Sequence, residues 1–212
     1  MIATMIARRF VEANGKHTNI LVVFPPALEE NWRNTFKLFG IYKKAQFVTN
    51  GSLSKVLEGK NNYKDKEEFD LVIVDEAHGF RSDNSGKYDE LQKICKSPCL
   101  NMGLLKQQKK KVMLLSATPL NNRPDDLLNQ LLLFQNSQSC TIDGIPNLKK
   151  FFTPLIEEYR KVMHNRGKHD VTAEVDLIYE KIRQKVIDKV TVRRTRNNIL
   201  NDKDYKADIE SQ

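Results

Sequence analysis

Two apolar runs organise this chain. Leu71-Val72-Ile73-Val74 empties into Asp75-Glu76-Ala77-His78, and Val112-Met113-Leu114-Leu115 empties into Ser116-Ala117-Thr118-Pro119. A continuous apolar run of this length, stopped by polar residues, predicts a strand covered on both faces, as in a parallel sheet packed between helices. The same reasoning predicts strands over 19–24, 45–49, 69–75 and 111–117. Helical periods lie between them, near residues 2–13, 27–39, 52–58 and 85–95. Alternation of this kind predicts an α/β fold, a parallel sheet with right-handed crossovers. Residues 61–68 and 79–86 are polar and read as surface loops. Asn122, Pro124, Asp125 and Asp126 carry the chemistry of a helix start.

After Phe134 the pattern changes. Residues 135–146 are polar and turn-rich, and helical periodicity follows. Val175, Ile178, Ile182, Val186 and Val190 recur at intervals of three and four, forming one apolar face, while Lys181, Arg183, Lys185 and Lys189 fall mostly off it. The expected organisation is a sheet domain over 1–144, a basic helical part over 145–200 and a polar tail over 201–212.

Charge sharpens that division. The formal net charge is +8 and the pI about 9.3, which favours a polyanionic partner. Residues 145–200 hold 13 Lys/Arg and 7 Asp/Glu, a net of +6. The run Gln107 to Lys111 is also basic, and reads first as a solvated turn. No apolar stretch approaches the roughly 20 residues of a membrane span. The short N-terminal apolar run has its arginines after it, unlike a signal peptide. Cys95, Cys99 and Cys140 make neither a disulfide framework nor a zinc quartet, so a reducing cytoplasm is expected.

Both strand-to-polar junctions are candidate chemistry. In open α/β sheets the ligand crevice lies outside the carboxyl ends of the strands. Asp75 and Glu76 would stand there, suited to holding a metal and handling a proton. Ser116 and Thr118 would offer hydroxyls on a backbone that a ligand can approach closely.

Taken in order, Asp75-Glu76-Ala77-His78, Ser116-Ala117-Thr118-Pro119-Leu120-Asn121-Asn122 and Arg193-Arg194-Thr195-Arg196 resemble successive motifs of the Swi/Snf-like branch of superfamily-two helicases. Asn19 to Leu28, continuing through Asn31-Trp32, resembles an earlier strand-and-loop motif of that family. Gly79-Phe80-Arg81 and the stretch Arg123 to Phe134 resemble its bacterial, DEAH-box-containing members. The likeness spans roughly residues 1 to 200. It implies a RecA-like first motor lobe, a parallel sheet flanked by helices, with a helical protrusion toward the C-terminus.

The resemblance also implies roles. Asp75 would hold magnesium through its water shell, and Glu76 would orient and deprotonate the water that attacks ATP. Phosphoryl transfer is mostly positioning and charge neutralisation, so one metal and one base suffice on the γ-phosphate side. His78 would link the acidic box to Ser116 and Thr118. Pro26, Ala27, Thr49, Ser52 and Asn122 would follow a nucleic-acid backbone, and Arg193 and Arg194 would couple the lobes near their hinge. Trp32, a single tryptophan on an amphipathic helix, reads first as a core residue. Double-stranded DNA and a second motor lobe of the same protein are the implied partners.

One part of such a motor is not found. Gly-Lys occurs at 15–16, 59–60, 86–87 and 167–168, followed by His17, Asn61, Tyr88 and His169. None completes the Gly-Lys-Ser/Thr loop whose amides, lysine and hydroxyl cradle phosphate and magnesium. Residues 1–10 resemble the helix that follows that loop, so the expectation is a lobe truncated just past its phosphate site and inactive alone. The leading reading is a fragment of an ATP-dependent translocase on double-stranded DNA. The alternative is a non-catalytic nucleic-acid-binding or scaffold remnant of such a lobe. An RNA helicase is a third reading, disfavoured by the Arg-Arg-Thr motif and the helical insertion.

Overall fold

The computed structural model describes residues 2–60, 62–83, 85–100, 109–117 and 123–192. The chain divides into two compact units. One comprises Met1–Cys140 with Asn147–Ile156, and the other Thr141–Pro146 with the described residues from Glu157 on.

The first unit is built on four parallel strands: β1 (Ile20–Phe24), β2 (Ala45–Thr49), β3 (Leu71–Val74) and β4 (Lys111–Leu114), in the order β2-β1-β3-β4. Its helices are α1 (Ile2–Asn14), α2 (Glu29–Leu38), α3 (Ser54–Leu57), α4 (Gly86–Lys96) and α5 (Pro124–Leu132). Alternate residues of each strand face opposite layers. Ile20, Val22, Phe24, Leu71 and Ile73 pack with Ala3 and Ala7 of α1 and with Trp32 and Phe36 of α2. Leu21, Val23, Val72 and Val74 pack with Val56 of α3 and with Leu91, Ile94 and Cys95 of α4. The helices following β1 and β3 thus lie on opposite faces. This is the α/β fold, a parallel sheet flanked by helices, that the alternation predicted.

Two boundaries differ from expectation. β3 and β4 stop before their polar residues, but the ladder continues half a step: Asp75 N–H donates to Val23 O and Leu115 N–H to Val74 O, each at 2.8 Å. The second difference is burial. Every residue of β1 and β3 is buried, whereas Val112, Met113 and Leu114 are only half-buried. β4 is the last strand of the described sheet, so one of its sides lacks a neighbour that β3 has.

The helix starts are well specified. The Ser85 hydroxyl accepts from Tyr88 N–H at 3.2 Å and caps α4. α5 begins with Pro124, and Asp126 reaches back to Arg123 N–H at 3.3 Å, as the helix-start residues predicted.

α6 (Leu148–His164) begins in the first unit and continues into the second. In the second unit, α7 (Thr172–Ile182) runs into a π-helical turn at Arg183–Ile187 and a last short turn, α8 (Asp188–Val190). The buried stripe is Ile178, Ile182, Val186 and Ile187, while Val190 is exposed. Val190 therefore departs from the expected face. The wider π turn advances the helix phase, so a period of three and four cannot persist across it. Tyr159 of α6 meets Tyr179 edge to face at 6.2 Å. Among the described residues no helix is long and apolar enough to cross a membrane.

Candidate active site at the carboxyl edge of the sheet

Parallel register brings the candidate residues to one edge. Val48, Val23, Val74 and Leu114 are aligned across the four strands. The residues that follow them emerge at one level. Asn50 N–H donates to Phe24 O at 2.9 Å, joining the loop after β2 to the end of β1. Pro26 and Ala27 open an exposed 3-10 turn, Pro26–Leu28, before α2. Thr49 Oγ1 donates to Ser52 Oγ at 3.2 Å, and Ser52 N–H donates to Thr49 O at 2.9 Å, closing a tight polar turn beside it.

Asp75 is held from two sides. Its Oδ1 accepts the Glu76 N–H at 2.9 Å, and its Oδ2 accepts the indole Nε1–H of Trp32 at 2.7 Å. Trp32 is thus both a core residue, its ring tilted at 54° to Phe36 with centroids 5.9 Å apart, and a donor to the carboxylate. A buried indole N–H needs an acceptor. That requirement was the signal in the sequence that could have paired them.

Glu76 has left-handed backbone, φ 49° and ψ 48°. For a residue with a Cβ this costs about 1–2 kcal/mol. It turns the chain abruptly from β3 into the 3-10 turn Ala77–Phe80, which lets Ala77 N–H donate to Leu115 O at 2.8 Å. The acidic motif and the Ser116 motif are therefore joined through the main chain. His78 Nδ1 lies 2.9 Å from Glu76 Oε2; both atoms are shielded from solvent, and neither is aligned as a hydrogen bond. Ser116 is partly buried just past that junction. Thr118, Asn122, Arg193 and Arg194 lie outside the described residues.

A residue that sequence reasoning missed braces this turn. Gln130, buried in α5, donates from Nε2 to Ala77 O at 3.2 Å. Asn129 donates to Arg81 O at 2.9 Å, Tyr88 donates to Asn129 O at 2.8 Å, and Gln92 donates to Leu132 O at 2.9 Å. The helix after the Ser116 motif is thereby fastened to the loop after the acidic box. The available signal was a glutamine sharing a helical face with Leu127 and Leu131.

Lys110 corrects another expectation. The basic run read as a solvated turn, yet Lys110 is buried. Its Nζ donates to Ser97 O at 2.9 Å, Ser97 Oγ at 2.7 Å and Pro98 O at 2.6 Å, capping the end of α4. Lys109 and Lys111 remain exposed. Burial lowers the pKa of Lys110 and pushes the neighbouring Cys95 thiol up to about 12.

In the second unit the basic side chains are partly engaged. Lys181 pairs with Glu158 at 3.4 Å, Arg183 with Glu180 at 3.1 Å and Lys189 with Asp143 at 3.7 Å. All three pairs are exposed enough to be worth about 0–1 kcal/mol, so the cations can be surrendered to another anion.

Among the described residues no group of three His, Cys, Asp or Glu side chains could enclose a metal. Asp75 and Glu76 are the carboxylates at this edge that could contribute to a metal held otherwise by water and substrate phosphates.

No curated protein matches the sequence. Among solved structures, the chain is similar in fold to the Sulfolobus solfataricus SWI2/SNF2 ATPase core in complex with dsDNA. The TM-score is 0.56 at 16% identity, with 95% of this chain and 38% of that chain covered. This chain thus spans well under half the length of that relative. The DEAD/DEAH box helicase model matches residues 6–127, more than half of the 212. The chain therefore belongs to the DEAD/DEAH box helicases, and its sheet domain is a motor lobe of that family.

Proposed function

We propose that this chain is part of an ATP-driven motor that moves along double-stranded DNA. The observation that carries the reading is the convergence of the acidic box and the Ser116 motif on one sheet edge, joined by the Ala77–Leu115 hydrogen bond. The duplex bound to the Sulfolobus relative supports DNA as the track.

In this reading Asp75, held by Trp32 and the Glu76 amide, would hold magnesium through water. Magnesium bound there would supply charge neutralisation to the phosphates of ATP. Glu76 orients the attacking water and accepts its proton, with His78 set against its carboxylate. Ser116 and Thr118 report nucleotide state to α5 and to the loop after the acidic box. Pro26, Ala27, Thr49, Ser52 and Asn122 contact the DNA backbone without reading bases, since backbone contacts set register and carry no sequence information. Arg193 and Arg194 couple this lobe to a second one in the same protein. The basic residues beyond 145 form a protrusion that adds sequence-independent affinity.

The 212 residues contain no Gly-Lys-Ser/Thr loop. We therefore expect the isolated chain to bind ATP poorly, because lost positioning alone removes orders of magnitude in rate. That absence favours a second reading, a nucleic-acid-binding lobe without catalysis. The deciding experiment measures ATP hydrolysis by a longer protein carrying the phosphate loop and second lobe. Hydrolysis stimulated by duplex DNA and abolished by Glu76→Gln, with nucleotide binding spared, is the expected result. Equal rates with and without nucleic acid refute the translocase reading. Brisk hydrolysis by the 212-residue chain, sensitive to Glu76→Gln, shows the phosphate site to be misassigned.

A further inference from the structure

Trp32 stands where two parts of the site meet. It lies in the first turn of α2, directly after the exposed Pro26–Leu28 turn, while its indole reaches β3. The ring is fixed by Phe36 at 5.9 Å, and Phe36 in turn meets Phe47 of β2 edge to face at 5.4 Å. The indole therefore has little freedom to follow a moving partner. Its bond to Asp75 Oδ2, at 2.7 Å, is at the short end for N–H···O, as expected when the acceptor is charged. The other oxygen is taken by the Glu76 amide at 2.9 Å. The plane of the carboxylate is thus set by donors from two separate segments before any ligand arrives.

We propose that Trp32 is a positioning residue: it fixes the Asp75 carboxylate for metal and ties it, through α2, to the Pro26–Leu28 turn. The inference rests on the reading of Asp75 and of that turn given above, and adds the connection between them. Rotation of the carboxylate leaves a buried indole N–H without an acceptor, and rotation of α2 pulls on the carboxylate. A phosphate backbone docked at the turn and a metal docked at Asp75 then bias the same hydrogen bond. Each must change the affinity for the other by the same factor. Outer partners that orient a metal-binding group are worth about 10–100-fold in metal affinity or activity.

Trp32 is the only tryptophan in the sequence, so the 15N-labelled 212-residue chain gives one indole N–H resonance. Asp75→Asn, which keeps the shape and removes the charge of the acceptor, should shift that resonance upfield, while Glu76→Gln leaves it in place. An indole resonance indifferent to Asp75→Asn overturns the proposal. In the longer protein, Trp32→Phe keeps an aromatic ring against Phe36 and deletes the donor. It should raise the magnesium concentration for half-maximal hydrolysis about 10-fold or more and reduce stimulation by duplex DNA. Ile94→Val disturbs the core on the opposite face of the sheet without touching Trp32 or the carboxylate and should leave the magnesium dependence unchanged; an equal shift in both variants overturns the positioning role. If Asp75→Ala abolishes hydrolysis but Trp32→Phe keeps the normal magnesium dependence, the positioning role fails and the site reading stands. If Asp75→Ala hydrolyses normally, the site reading itself fails.

Discussion

Lys110→Met separates two meanings of a basic run that the sequence alone leaves together. Methionine keeps the length and apolar stem of lysine and deletes the ammonium. Three hydrogen bonds of 2.6–2.9 Å disappear with it. Hydrogen bonds to a charged group contribute about 1.5–3 kcal/mol each before the cost of burying the charge. Pro98 is exposed and can be rehydrated, whereas Ser97 is buried and leaves its carbonyl without that donor. Removing the ammonium also relieves the desolvation that lowers its pKa, which offsets part of the loss. The net expectation is about 2 kcal/mol of destabilisation, or about 4–8 °C in Tm for a chain of this size. Thermal and urea unfolding can be followed through the single tryptophan, with exposed Lys109→Met as the control, expected within about 0.5 kcal/mol of the unsubstituted chain. DNA affinity, measured below the transition, should be unchanged by Lys110→Met. Unchanged stability together with weaker DNA binding and a salt slope reduced by about one unit would refute the reasoning and make Lys110 a phosphate contact.

Glu76→Gly removes the carboxylate and relieves the left-handed backbone, so stability should hold or rise by up to about 1 kcal/mol while hydrolysis by the longer protein is lost. A clear fall in Tm would show that the carboxylate supports the fold. Tyr88 is pushed up to about 12 by burial, with its hydroxyl donating to Asn129 O. A folded pKa above the ordinary value of 10 means that its contribution is intact below pH 10 and lost as pH rises toward 12. Tyr88→Phe should flatten the loss of stability over that window, measured by urea titration at each pH. Reversing Lys181, Arg183 and Lys185 to Glu together should weaken duplex binding and lower the log–log salt slope by up to about three units. Unaltered binding leaves those helices a structural role only.

Much of the lobe is written in local pattern. The apolar runs ending in Asp75 and Ser116, the capping Ser85 and the Pro124-Asp125-Asp126 start are each set by neighbours within a few residues, where backbone preference and burial agree. Strand order is not local. The two apolar runs look alike, yet β3 is enclosed and β4 ends the described sheet, because position in a sheet depends on which strands pair and not on a strand's own composition. The same holds for the polar anchors. Trp32 reads as core from its helix, and only the pairing of β1 with β3 brings Asp75 within 2.7 Å of its indole. Gln130 and Lys110 read as a helix residue and a surface cation until tertiary packing buries them beside Ala77 O and the carbonyls after α4. Val190 belongs to its predicted face by period alone, and the π turn moves it off. Periodicity encodes which side of an element is buried. Which distant donor meets which acceptor is decided only when the chain closes, since a buried polar group takes whatever partner the packing delivers.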